Sequence, residues 1–135
     1  MDQQKLRSVL YVDDEPDIRE IVRIALEHVV GVRTAESGEK ALQLANQSHP
    51  DLVLMDVMMP GLDGPSTLHR MREEQSLANI PVIFVTAKAM PTEVARFREM
   101  GADGVIAKPF DPVGLSTEVL SLWSEIVAVR HCALG

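Results

Sequence analysis

The six residues "YVDDEP", Tyr11–Pro16, decide how this 135-residue chain is read. They set Asp13, Asp14 and Glu15 side by side, directly after the apolar run "VLYV" (9–12). Like charges repel one another, and aspartate is a poor strand former. Upstream, "RSVLYV" (7–12) reads as a short buried strand with β-branched residues. Downstream, Pro16 is placed to open a helix. The apolar residues Ile18, Ile21, Val22, Ala25, Leu26 and Val29 of "EPDIREIVRIALEHVV" then line one helical face. An apolar strand therefore ends in a cluster of acids, and a helix follows at once.

The same alternation continues along the chain. "GVRTA" (31–35) is a second short strand, and "SGEKALQLANQS" (37–48) a helix with Ser37 as N-cap and Ala41, Leu44 and Ala45 inward. "PDLVLMD" (50–56) is a third strand, and it too ends in an acid. "MMPGLDGPS" (58–66) is a Pro- and Gly-rich loop leading into "PSTLHRMREEQ", with Pro65 near the first turn. "IPVIFVTA" (80–87) is a very apolar fourth strand, followed by the helix "MPTEVARFREMGA" with Gly101 near its end. "DGVIAKPF" (103–110) is a fifth strand, and "DPVGLSTEVLSLWSEIVAVR" (111–130) a last long helix. Strand and helix alternate five times, and the strands read as apolar throughout. That predicts an α/β fold with a doubly wound, five-stranded parallel sheet and helices on both faces.

Length and composition agree. One domain is expected over 1–135, with a core over 7–128 and short tails. A further output domain needs on the order of 50 more residues, so the domain is expected to act alone. The chain is 46% hydrophobic and 24% charged, which fits a globular protein rather than a disordered one. No apolar run approaches the ~20 residues that cross a bilayer, so no membrane association is expected. "MDQQKLRS" does not resemble a secretory leader. The lone Cys132 excludes an internal disulfide and suits a reducing cytoplasm. A net charge of -7 argues against direct nucleic-acid binding. It favours a domain that gathers acids around a cation or meets a basic partner.

In open α/β sheets, ligands bind beyond the carboxyl ends of the strands. Strand 1 ends in Asp13 and Asp14, strand 3 in Asp56, strand 4 in Thr86 and strand 5 in Lys108. Strand 2 ends in Thr34 and Ala35, with nothing reactive. If strands 1 and 3 are neighbours, their ends lie about 5 Å apart. Three carboxylates then share one pocket, where each resists the ionisation of the others. A hard divalent cation relieves them. Mg²⁺ takes oxygen ligands, often one or two carboxylates with waters and phosphate oxygens.

"VDDE" after strand 1, "LVLMDVMMPGLDG" around strand 3, "VTA" after strand 4 and "AKPF" after strand 5 occur here in order. Together they closely resemble the receiver domain of bacterial response regulators in two-component systems, over roughly residues 7 to 128. The resemblance implies the flavodoxin-like strand order 2-1-3-4-5, for which the chemotaxis regulator of this family is the standard example. It implies that Asp56 is the phosphoacceptor. It further implies that Mg²⁺ is held by Asp13, Asp14 and Asp56, with Asp13 acting through water and the backbone carbonyl of Met58 completing the protein's ligands. Thr86 and the Ala87 amide donate to phosphoryl oxygens, and Lys108 supplies a second cation from about 10 Å away at the backbone. The Lys108-Pro109 bond is typically cis in this family. Met58 and Lys88 occupy positions that tune phosphate lifetime there.

The implied donor is a sensor histidine kinase or a histidine phosphotransfer protein, and the implied output is a change of protein partner. A phosphate sink or intermediate in a phosphorelay is the alternative. The chain is expected to be a phosphoacceptor that assists its own chemistry, not an enzyme acting on a metabolite. Phosphatases with an Asp nucleophile place two acids one residue apart after strand 1, which "VDDEPD" does not match. One departure from the family stands out. The aromatic residue three positions before the strand-5 lysine is here Val105, which is stiff and small.

Asp17 reads as a first-turn residue favoured by the helix dipole. His28, His49, His69 and His131 read as ordinary surface positions. The last helix carries two apolar stripes: Leu115, Val119, Leu122 and Ile126, then Leu120, Trp123 and Val127. The first packs on the sheet. The second either wedges against neighbouring elements or meets a second copy or a partner.

Overall fold

The structure, a computed structural model, describes residues 5–134. The outermost parts of the expected tails, residues 1–4 and 135, lie outside the described residues. The elements run β1 (Ser8–Val12), α1 (Pro16–Leu26), β2 (Gly31–Ala35), α2 (Gly38–Ser48) and β3 (Leu52–Asp56). They continue α3 (Gly64–Glu73), β4 (Val82–Thr86), α4 (Pro91–Glu99), β5 (Gly104–Ala107) and α5 (Leu115–Leu134). All strand pairs are parallel, and the sheet order is β2-β1-β3-β4-β5. This is the expected doubly wound sheet. The chain leaves β1 toward β2 on one side and returns to β3 on the other, so the switch point lies between β1 and β3.

Successive side chains of a strand point to opposite faces, and two cores result. Leu10, Val12, Val53, Met55, Val82 and Phe84 meet Ala41 and Ala45 of α2, Leu68 and Met71 of α3, and Phe97 of α4. Phe84 and Phe97 stack edge to face, with centroids 5.2 Å apart. Val9, Tyr11, Leu52, Leu54, Ile83, Val85 and Ile106 meet Val22 and Leu26 of α1 and Leu115, Val119, Trp123 and Ile126 of α5. Burying each large apolar side chain contributes about 1.5–3 kcal/mol. β3 and β4 are buried along their whole lengths, as their apolar sequences require. β2 differs from the expectation of wholly apolar strands. It lies at the sheet edge, and Gly31 and Arg33 are exposed.

Helix boundaries shift where backbone bonding demands it. α1 stops at Leu26, because the Gly31 amide must reach the Arg7 carbonyl (2.8 Å) and the chain turns over residues 27–30 to get there. Val29, expected on the buried face, sits in that turn and is exposed, and Ile21 on the flank of the helix is also exposed. α5 begins at Leu115 rather than 111: Asp111 accepts the Val113 amide at its side chain (3.1 Å) and the Gly114 amide at its carbonyl (3.1 Å), forming a turn. The helix continues through Leu134, past Arg130. Trp123 belongs to the core, so the second stripe of α5 is narrower than its sequence suggests. Leu120 stays exposed, and Val127 is half-buried.

The α3 N-terminus lies tight against the end of β3. Asp63 caps α3 by accepting the Ser66 amide (2.8 Å), and the Gly64 amide donates to the Val57 carbonyl (3.0 Å). A Cβ on Gly64 would lie 2.6 Å from the Asp56 carbonyl oxygen and 2.9 Å from the Val57 Cα. Both obstacles are backbone and cannot turn away. Gly64→Ala is therefore expected to cost about 1–3 kcal/mol of stability, read as a lowered midpoint in urea unfolding.

Candidate functional site

Val12 of β1 pairs in register with Met55 of β3, so Asp13 and Asp56 follow at adjacent strand ends. Tyr11 and Asp13 lie two residues apart, as do Leu54 and Asp56, on the face that α1 and α5 cover. Asp13 is fully buried. Its Oδ2 accepts from the Tyr11 hydroxyl (2.7 Å) and from Lys108 Nζ (3.0 Å). Its Oδ1 accepts the Glu15 amide (3.0 Å), and its carbonyl accepts from the Arg19 guanidinium of α1 (2.8 Å). Asp56 is only 6% exposed. Its Oδ1 accepts the Met58 amide (3.3 Å), and its Oδ2 lies 3.3 Å from Lys108 Nζ. Asp14 is exposed, and one carboxylate oxygen from each of Asp13, Asp14 and Asp56 lies within 4.8 Å of the others.

Thr86 ends β4 one residue beyond Val85, the register partner of Asp56. Its buried hydroxyl accepts the Lys88 amide (3.0 Å), and its carbonyl accepts the Lys108 amide (2.8 Å). Lys108 follows directly on β5, and the Lys108-Pro109 bond is cis. Asp13, Asp14, Asp56 and Lys108 thus converge, with Thr86 at the adjoining strand end. Met58 contacts Asp56 through its amide, while its side chain is exposed. Asp17 stands in the first turn of α1, and the four histidines are exposed. Val105 is half-buried against the core under α2, α3 and α4.

The sequence reading missed Tyr11 and Arg19. Tyr11 carries a signal: it stands two residues before Asp13, so strand alternation puts the two on one face. Arg19 carries none, because its partner is a backbone carbonyl.

Charge dominates the pocket. Burial raises the Asp56 carboxyl above its ordinary value and Asp13 raises it further, against the pull of Lys108 and the Met58 amide. Burial works to deprotonate Lys108, but Asp13 and Asp56 outweigh it and hold the ammonium above its usual value. Burial, then the bond to Asp13, pushes the Tyr11 phenol up. Three carboxylates face one ammonium, an imbalance that a divalent cation cancels. Clustered hard oxygens are the donor set that Mg²⁺ prefers.

The family model for the response regulator receiver domain matches residues 9–120. This chain belongs to that family. Receiver domains are parts of two-component systems, in which phosphorylation on aspartate and Mg²⁺ binding at an acidic pocket are characteristic. They are typically non-catalytic signalling domains that interact with histidine kinases and phosphotransfer proteins. The receiver domain here is 39% identical over 117 residues to the probable transcriptional regulator ycf27 of Cyanophora paradoxa, covering 86% of this chain and 48% of that protein. It is 40% identical over 104 residues to the transcriptional regulatory protein CseB of Streptomyces avermitilis, covering 76% and 43%. The chain spans about half the length of the curated relatives it matches. Among solved structures, the chemotaxis response regulator CheY4 of Vibrio cholerae superposes with a TM-score of 0.80 at 28% identity, covering 87% of this chain and 99% of that one. The receiver domain of the Francisella response regulator 1452 gives 0.79 at 30% identity, covering 88% and 98%. Among the described residues, no helix is long and apolar enough to cross a membrane.

The raised Asp56 carboxyl has a consequence for stability. The folded state holds this proton more tightly than the unfolded chain, whose value is about 3.9. Its contribution to stability is therefore fully present below about pH 4 and is lost as pH rises through the folded value. At pH 7 in chelator, Asp56→Asn is expected to raise the thermal midpoint by about 3–5 °C, roughly 1 kcal/mol in a domain of this size. Mg²⁺ should raise the wild-type midpoint more than that of the variant. Differential scanning calorimetry decides, and a lower midpoint for the variant would mean that attraction to Lys108 outweighs burial.

Proposed function

We propose that this receiver domain accepts a phosphoryl group on Asp56 from a sensor histidine kinase or a histidine phosphotransfer protein, in a Mg²⁺-dependent reaction. The phosphorylated form then signals through altered binding to a downstream protein. One observation carries the reading: the buried Asp56 carboxylate shares Lys108 with Asp13, beside the exposed acid Asp14. An Asp56 oxygen attacks the phosphorus of the donor. The phosphorus–nitrogen bond breaks, and its electron pair stays on the donor imidazole, which takes up a proton. Phosphoryl transfer asks the protein mainly for positioning and charge stabilisation.

Asp13, Asp14 and Asp56, with the Met58 carbonyl, are the groups assigned to Mg²⁺. Bound there, the ion neutralises charge on the acid and the incoming phosphoryl oxygens. Lys108 shifts from the two carboxylates toward the phosphoryl group. The Thr86 hydroxyl gives up the Lys88 amide and donates to a phosphoryl oxygen, and the Ala87 amide adds a second donor. The domain works alongside its donor in the cytoplasm, which the lone thiol of Cys132 suits.

A phosphate sink or relay intermediate is the second reading, and Val105 favours it. This short side chain is already half-buried on the core, so an inward-turning aromatic readout is missing. A homodimer through the α5 region would draw on exposed residues such as Leu120 and not on Trp123, which is in the core.

Incubation with acetyl phosphate and Mg²⁺, followed by intact mass measurement, tests the main reading. The wild type is expected to gain one phosphoryl group. Asp56→Asn or added chelator should abolish the gain, and labelling that survives both would refute the assignment.

A further inference from the structure

Tyr11 is the only tyrosine of the chain, and its ring is locked in the core between the sheet and α1 and α5. Its hydroxyl donates to Asp13 Oδ2 at 2.7 Å, the shortest of the contacts made by that carboxylate. A carboxylate has about four lone-pair sites. On Asp13, three are taken: Oδ2 by Tyr11 and Lys108, and Oδ1 by the Glu15 amide. These donors differ in what can move them. Lys108 is a long side chain already shared with Asp56, so a competing anion can draw it away. The Tyr11 ring is 1% exposed and packed in the core, so its hydroxyl oxygen stays beside Asp13.

The Tyr11 hydroxyl therefore occupies one lone pair of Asp13 Oδ2 from a fixed oxygen position. A donor on a carboxylate also draws off part of its negative charge. A cation, or a water bound to it, that approaches Asp13 meets a pinned and weakened ligand, and reaches Oδ2 only in competition with a donor whose oxygen the packed ring holds in place.

We infer that Tyr11 is a positioning residue that lowers the Mg²⁺ affinity of the acidic pocket by holding Asp13 Oδ2. This rests on the assignment of Mg²⁺ to that pocket. The device keeps the ion exchangeable. It also fixes the orientation of Asp13 whether or not Lys108 remains on it. A purely structural hydroxyl would do something different: its loss would lower the thermal midpoint and leave metal affinity alone.

Tyr11→Phe removes the hydroxyl and keeps the ring. Calorimetric titration of Mg²⁺ into the full chain is expected to show binding about three- to tenfold tighter in the variant, the range that one net hydrogen bond carries. Affinity within twofold of wild type, or weaker, would overturn the inference even if the thermal midpoint falls. A second measurement needs no variant. With tyrosine ring carbons labelled, the single resonance of the hydroxyl-bearing carbon should move with Mg²⁺ along the calorimetric isotherm, and a stationary resonance would overturn the inference. If the wild type binds no Mg²⁺, both the metal assignment and this inference fail. If it binds and only the Tyr11 effects are absent, the inference alone fails.

Discussion

Carboxylates that approach within 4.8 Å of one another, two of them buried, resist joint ionisation unless something positive sits among them. In this chain Lys108 does so, bridging Asp13 and Asp56 at 3.0 and 3.3 Å. The rest of the architecture keeps these groups together. Parallel strands bring their carboxyl ends to one edge of the sheet. The order β2-β1-β3-β4-β5 places the two acid-bearing strands side by side and the lysine two strands away. The glycine at position 64 lets α3 start hard against Asp56 without a side chain in the way.

The pocket is held in unequal ways, and that inequality suits a switch. Asp13 is tied at both oxygens and at its carbonyl, to β1, to the start of α1 and to Arg19. Asp56 is held by a 3.3 Å amide contact and by a lysine that it shares. Thr86 has its hydroxyl turned to the backbone of its own loop. A rigid acid therefore stands beside a loosely held one. A new anion on the loosely held acid would compete for Lys108 and Thr86, the two side chains with alternatives. Val105, half-buried and in register with Phe84, offers only a short, stiff side chain to respond.

The strand-end acids, the lysine and the fold class were legible because each left a mark in the sequence. Apolar runs ended in charged residues, and the helix period returned between them. Ser37 and Pro65 stood where helices begin, and both did so in the structure. Contacts to backbone were not legible. The Arg19 bond to the Asp13 carbonyl has no residue-type signature, and neither has the turn that ends α1 at Leu26. The two stripes of α5 looked alike in sequence. Only the packing of Trp123 against the sheet separated the buried stripe from the exposed remainder.

The sequence by itself determined the alternation of strands and helices, the parallel sheet, and the set of groups at the strand ends. Hydrophobic period and charge are local properties, and they survive in a linear string. Only the tertiary structure decided how those groups share one another. That Lys108 serves two acids, that Asp13 is pinned by Tyr11 while Asp14 is open to solvent, and that β2 is an exposed edge all depend on distances between residues far apart in the chain. Such distances are set by how two cores close over one sheet, and no single segment contains them.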